Sequence, residues 1–404
     1  AIKYENYGYE TFQRTGDIYV LFYEKGLNIL CKGGHLCFIT SNKWMRAGYG
    51  KSLRKFFTTQ NPLLLVDLGP GVFESATVDT NILIIQKESN HNQLEGVTVT
   101  KEASQEKIDN FINRNKVKLP QPGKDAWFIG SAAEIALKHK IEKIGKPLKE
   151  WDVNIYRGVL TGLNEAFIID TETKERLCQE DPRSAEILKP ILRGRDIKRY
   201  SYDWKGLWLI AGGYDTDIPK LYPAIFKHLE QYEDRAKKRD DQGANWWNLR
   251  ACAYYPEFEK EKIVWGNIAY DSSFVLLDKG IYINAPSNIV TSDKISLRYL
   301  QGCFNSRIFD YEFKEIGIFL GHAFEWKKQY VEQVHLPPIT QQNCPIVDKI
   351  EKLVVEILKT TKKHSGADTS HVGNQIDQHV YQLYGLTDQE IEIVESAFTK
   401  KAKK

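Results

Sequence analysis

The densest chemistry in this chain is the run LRGRDIKRYSY, where Arg193, Arg195, Lys198 and Arg199 crowd seven positions and Tyr200 and Tyr202 alternate behind them. Basic groups interleaved with aromatic rings suit a polyanion with flat bases, because cations meet phosphates and rings meet bases. Asp196 would fix one of the arginines. The ordinary alternative is a solvated turn whose arginines pair with nearby acids.

A second constellation lies upstream. YRGVLTGLNEAF offers Tyr156, Arg157, Thr161 and Asn164 around two glycines that let a backbone approach closely. Arginine on guanine and asparagine on adenine are the bidentate pairings, worth ~1–3 kcal/mol of discrimination each. Either residue could equally be structural. Lys237, Lys238 and Arg239 could reach a nucleic-acid backbone, although Glu233, Asp234, Asp240 and Asp241 beside them suggest a self-neutralising helix end. Trp246 and Trp247 read as core, and Arg250 is a further candidate for contact with a nucleic acid.

Near the start of the chain, Ser41, Asn42, Lys43 and Trp44 leave an apolar strand at ITSNKW. Ligands gather at the carboxyl ends of strands in doubly wound sheets, so these residues are expected on a substrate side. Asn42 and Lys43 could hold a phosphate or order a pocket; Asn42 could equally cap the next turn, and Trp44 reads as packing. Phe73, in GVFESATVDT, sits on a loop between two strands, where it either packs under its own loop or offers a free ring face.

Other chemistries find little support. The nine histidines show no metal spacing and the six cysteines no close pair, which argues against a metal site and against a disulfide framework. A net charge of +3 neither demands nor excludes nucleic acid; clustering matters more. No apolar run approaches the ~20 residues of a membrane span, and AIKYENYGYE is no signal peptide. The chain does not open with methionine, and its single Met is Met45, as expected of a segment from a longer protein. At 404 residues, two or three domains are expected.

The elements that must position these residues follow from periodicity. DIYVLFYEKGLNIL predicts a helix with Ile18, Phe22, Leu27, Ile29 and Leu30 on one face, Asp17 as N-cap and Gly33-Gly34 as its stop. HLCFIT (35–40), NPLLLVDLG (61–69) and NILIIQK (81–87) read as buried strands around a helix at 50–57. Together they predict the C-terminal part of a Rossmann-like α/β sheet over residues 1–88. Residues 89–150 read as a polar connector with a helix at 131–145. An α+β domain is expected over 151–340, opening with two short strands around a Gly-containing turn within 154–170. Strand-like runs recur at 206–210, 262–268, 273–277 and 281–285, with a charged helix at 218–240. Amphipathic helices follow at 344–363 and 372–385, and TDQE (387–390) is a capping box for a third. This helical tail, 341–404, is expected to brace the domain before it.

Three regions carry a resemblance. GDIYVLFYEKGLNILCKGGHLCFITSNKWMRAGYGKSLRKFF with VFESATVDTNILIIQK resembles the later motifs of γ-class DNA adenine methyltransferases, nearest those fused into type IIG restriction-modification enzymes. YRGVLTGLNEAFIID, ILKPILRGRDIKRY and YLQGCFNSRIFDYEF look like the TaqI-like C-terminal specificity domain of the same proteins. IDQHVYQLYGLTDQEIEIVE resembles their helical tail.

That resemblance implies a bacterial, cytoplasmic protein that recognises double-stranded DNA and positions a target adenine for methylation by S-adenosylmethionine. It places Phe73 against a flipped base with Ser41, Asn42 and Lys43 in the same pocket. It favours DNA contact for the 193–200 run. Family members carry an Asn-Pro-Pro-Tyr motif and a Gly-rich cofactor turn upstream of this segment. Neither occurs here; the only Asn-Pro, Asn61-Pro62, continues with leucines. The chain alone is therefore expected to be inactive and to bind no cofactor. Its partners would be DNA and the upstream catalytic domain of the same polypeptide, with Mg2+ needed only by a nuclease domain, if one is fused. A solitary or phage-defence methyltransferase without nuclease, a non-catalytic nucleic-acid-binding module, and methylation of RNA or protein are the rival readings.

Overall fold

The computed structural model describes residues 2–69, 71–73, 78–99, 107–119, 123, 124, 126–320, 322–364 and 366–399. They form a mixed α/β arrangement with several sheets and a helical C-terminus, divided into two compact units, residues 1–140 and 141–404.

In the first unit, helix α1 (Tyr19–Ile29) leads through Gly33, at φ +81°, into strand β1 (His35–Ser41). Helix α2 (Lys51–Phe57) and strand β2 (Asn61–Gly69) follow, then β3 (Thr80–Gln86), which inserts antiparallel between β1 and β2. The segment expected to be a connector adds to this sheet. Strand β4 (Glu95–Thr98) pairs parallel with β2, and β5 (Val117–Lys118), after helix α3 (Ile108–Asn115), pairs antiparallel with β4. The order is β1-β3-β2-β4-β5, with β1 at one edge.

Two expectations for this unit fail. Asp17 is not a side-chain cap; only its backbone carbonyl engages the helix, through Val20 N–H. The buried face of α1 is also only partly the expected one, with Leu27 in the core and Leu30 packed against it. Val20, Tyr23, Glu24 and Leu27 face the core, while Ile18, Phe22 and Ile29 are exposed, as is Ile39 on β1. The i, i+3, i+7 stripe of Val20, Tyr23 and Leu27 prevailed because Tyr23 closes an aromatic cluster with Phe38, Trp44 and Phe57. Trp44 is fully buried there, packing as its sequence context suggested.

The second unit places two four-stranded sheets on one core. The first comprises β7 (Ile168–Asp170), β8 (Leu188–Leu192), β11 (Leu207–Ile210) and β14 (Tyr282–Ile283), in the order β14-β8-β11-β7. The second comprises β6 (Asn154–Arg157), β12 (Lys262–Trp265), β13 (Phe274–Leu277) and β15 (Asn288–Thr291), in the order β13-β12-β15-β6 and antiparallel throughout. Ile191, Leu192, Leu209, Val264, Val275 and Ile289 meet in one buried cluster. The two strands foreseen within 154–170 are therefore in different sheets, separated by a helical turn at Asn164–Phe167. Between β8 and β11 in sequence, β9 (Ile197–Lys198) and β10 (Ser201–Tyr202) make a small hairpin.

After α4 (Ala132–Ile144) and α5 (Thr171–Glu180), the helix foreseen at 218–240 is broken into Ile218–Leu221, α6 (Pro223–Glu230) and Glu233–Ala236. Pro223 lacks an N–H and forces Tyr222 out of helical geometry, so a new helix starts there. Helices α7 (Leu297–Phe304) and α8 (Arg307–Ile316) carry the tail: α9 (Cys344–Lys363), α10 (Ser370–Leu383) and α11 (Asp388–Thr399). The capping box forms as read: Thr387 N–H donates to Glu390 at 2.7 Å, and Glu390 N–H to Thr387 Oγ1 at 3.4 Å.

Candidate functional site

The first candidate surface lies at the carboxyl ends of β1 and β2. Ser41 ends β1 and, rather than Asn42, caps the following turn, accepting from Lys43 N–H at 3.3 Å. Asn42 is buried, and its amide donates to Asp67 at 3.0 Å. Asp67 also accepts from Gly69 N–H at 3.2 Å and faces Arg46 at 3.7 Å. Burial, and then the Asp67 carboxylate, push the Asp79 carboxyl above its ordinary range, against the pull of Arg46 and Lys43. Lys43 is exposed. Phe73, on the loop after β2, is 43% exposed. Residues 74–77 of its loop lie outside the described residues. Sequence reading missed Asp67, Arg46 and Asp79; the available signal was a carboxylate at the end of an otherwise apolar strand.

The second surface belongs to the second unit, and the structure sorts its candidates. Arg193 is held bidentate by Asp196, at 2.9 and 3.0 Å, as the sequence suggested for one arginine. Burial alone would raise the Asp196 carboxyl, but the Arg193 hydrogen bonds outweigh it and the net shift is downward. The Arg199 guanidinium donates to the Asn305 carbonyl on α7 and faces the buried Asp377 of α10. Tyr200 is corrected outright: it is 2% exposed, adopts φ +61°, and its carbonyl accepts from Thr361 Oγ1 of α9 at 3.3 Å. Tyr200 and Arg199 thus tie the hairpin to the tail. Arg195 and Lys198 remain exposed, with no ion pair among the described residues.

Thr161 is likewise removed from any interface, 2% exposed with its hydroxyl donating to Asn164 Oδ1 at 2.7 Å. Asn164 is exposed but receives that bond. Lys237 pairs with Glu233 one turn back at 2.5 Å, the self-neutralised arrangement foreseen, while Lys238 is exposed. Trp246 and Trp247 pack against the core. Arg239 is buried beneath them and donates to the carbonyls of Thr161, Trp246 and Asn248 at 2.5, 2.6 and 2.9 Å. Burial draws its guanidinium down to about 10.

Two candidates distant in sequence do come together. Arg157 and Arg250 line one cleft of ≈ 330 Å³ with Val159, Leu160, Cys252 and Tyr254. Tyr156, half-buried, stacks on Tyr254 at 4.6 Å and 11°. Arg250 pairs with Asp241 at 2.9 Å. Among the described residues no group of His, Cys, Asp and Glu is placed to hold a metal ion, and no helix is long and apolar enough to cross a membrane.

Comparison with known proteins places these surfaces in context. Residues 1–73 match the family model of the Eco57I restriction-modification methylase, and residues 189–337 match that of the TaqI-like C-terminal specificity domain. The chain is 26% identical to the type II methyltransferase M.PaeR7I of Pseudomonas aeruginosa, over 95% of this chain and 67% of that protein. It is 24% identical to the type II methyltransferase M.XhoI of Xanthomonas vasicola, over 96% and 71%. It is 21% identical to the type II restriction enzyme and methyltransferase RM.Eco57I of Escherichia coli, over 96% and 45%. The fold resembles that of the type IIL restriction-modification enzyme MmeI, solved in complex with DNA, at TM-score 0.62 and 10% identity, covering 96% of this chain and 53% of that one. The chain therefore spans about half the length of MmeI.

Proposed function

We propose that this chain, in which an Eco57I-type methylase segment runs into a TaqI-like specificity domain, selects a DNA sequence and presents a base of it for methylation in a restriction-modification system. The modified base on this reading is adenine, and the donor is S-adenosylmethionine. The observation that carries the proposal is the exposure of Phe73 on the loop that follows β2, the strand whose carboxyl end holds the Asn42–Asp67–Arg46 cluster. A base swung out of the duplex loses stacking worth a few kcal/mol, and an exposed aromatic ring restores ~1–3 kcal/mol of it. In the second unit, Arg195, Lys198 and Lys238 supply charge for phosphates, and the Arg157–Arg250 cleft supplies donors for base edges.

Among the described residues, the Asn-Pro pair is not placed to serve a methyl donor. Asn61, in the only Asn-Pro pair, is buried within β2, and its amide donates to Gln86 at 3.0 Å. The donor site and the transfer step belong, on this proposal, to a segment upstream of residue 1. The exposed Phe22 and Ile29 of α1 and Ile39 of β1, at the sheet's edge, offer that segment an apolar seat. The sheet is read accordingly as the last part of a Rossmann-like fold.

The test is methylation mapping of genomic DNA from a methylation-free host expressing the full-length parent. N6-methyladenine at one defined sequence is expected. Unmodified DNA, or methylation confined to RNA or protein, would overturn the proposal.

A further inference from the structure

The cleft between Arg157 and Arg250 has walls from two segments far apart in the chain, and both walls are fixed from behind. On one side, Gly158 N–H donates to the Ser287 carbonyl at 2.7 Å and Val159 N–H to Ile283 at 2.8 Å. A Cβ at Gly158 would come within 2.6 Å of the Ile283 carbonyl oxygen, so only glycine lets the strand leave β6 this close to β14. On the other side, Leu249 is fully buried and its N–H donates to Gly212 at 3.1 Å. Two braces join the walls. Tyr156 stacks on Tyr254, and the buried Arg239 bonds to the Thr161 carbonyl of one segment and the Trp246 and Asn248 carbonyls of the other.

The charged groups presented in this rigid cleft are two guanidiniums, which carry only donors. Arg250 is held to Asp241 through Nη1, which leaves Nε and Nη2 of its planar fork without a hydrogen-bond partner among the described residues. In the major groove only guanine offers two acceptors on one edge, O6 and N7; adenine and cytosine would bring a donor against a donor.

Resting on the proposed DNA-recognition function, we infer that the Arg157–Arg250 cleft is a guanine-reading site, and that Asp241 is a positioning residue for Arg250. A phosphate is the other acceptor-only group in DNA, and it distinguishes itself by carrying no sequence information.

The experiment maps the methylated sequence made by the full-length parent and by its Arg250→Ala, Arg157→Ala and Asp241→Asn variants, with thermal melting to confirm that each folds. Arg250 is exposed, so its truncation leaves the core intact. The unaltered parent is expected to recognise a sequence containing guanine. Each arginine variant should accept other bases at one G·C position, with discrimination there falling roughly 5- to 150-fold. Asp241→Asn should relax the same position as Arg250→Ala, and less. Binding to a duplex with 7-deazaguanine at that position should be weakened for the parent and unchanged for the Arg250→Ala variant. Unchanged specificity with a uniform loss across sequences would make these arginines phosphate contacts and overturn the inference. So would a recognition sequence without guanine. If the unaltered parent methylates no DNA, the underlying function fails first, and this inference with it.

Discussion

Residues of one type in one short run have different tasks here, and measurements can separate them. Arg195 and Lys198 are exposed and without ion pairs among the described residues, whereas Arg199 is bonded to Asn305 and faces Asp377. Replacing both Arg195 and Lys198 by alanine should weaken binding of this chain to duplex DNA and flatten its salt dependence, by about 0.9 in log–log slope for each phosphate left unneutralised. Arg199→Ala should leave that slope unchanged and lower the melting temperature instead. A reduced slope for Arg199→Ala would return that residue to the interface. Phe73 belongs to this scale as well. In the full-length parent, Phe73→Ala should cost ~1–3 kcal/mol of target-base stabilisation, read as a fall in kcat/KM and in the fluorescence of 2-aminopurine at the target position. Unchanged values would mean that the ring meets no base.

At the level of elements, two buried cations hold the second unit together. Arg239 knits the segments behind the cleft, so Arg239→Ala should strand several buried carbonyls and destabilise the domain by about 3 kcal/mol, seen by denaturant unfolding. A loss below ~1 kcal/mol would show that the segments stand without it. Lys262 is fully buried in β12 and donates to the carbonyls of Phe258, Lys260 and Asp278 at 2.7, 2.9 and 3.1 Å. Burial draws its amine down from 10.5 to about 8. Between those values the unfolded chain binds more protons than the folded one. The stability attributable to this group therefore rises with pH across that window, and its penalty is fully present below about 8. Melting of the native chain should improve relative to Lys262→Met between pH 8 and 10; parallel pH profiles would refute this. The capping box at Thr387–Glu390 and the stripes of α9 were legible in sequence, because local hydrogen bonding and periodicity set them. The face of α1 was not, since two apolar stripes competed and a distant aromatic cluster chose between them.

On the scale of the whole molecule, the chain divides into a unit of residues 1–140 and one of residues 141–404, each with its own sheets. The second unit, expressed alone, should fold and bind duplex DNA with the same salt slope as the whole chain. A soluble, folded unit that fails to bind would move the interface to the first unit. Calorimetry of the whole chain with S-adenosylmethionine should show no binding, and stoichiometric uptake would overturn the assignment of the donor site to an upstream segment.

The sequence by itself determined the class of chemistry. Motif order, the cluster of arginines and lysines, the aromatic residue on the loop between two strands and the helical tail are local patterns, and local patterns survive in a linear string. Which arginine stays exposed, which one braces, and that Arg157 and Arg250 share one cleft were decided only by tertiary structure. A side chain's task depends on what lies across the fold from it: Asn305 and Asp377 for Arg199, the tail for Tyr200, Asp241 for Arg250. Those partners are brought near by sheet pairing and core packing, which no spacing along the chain encodes.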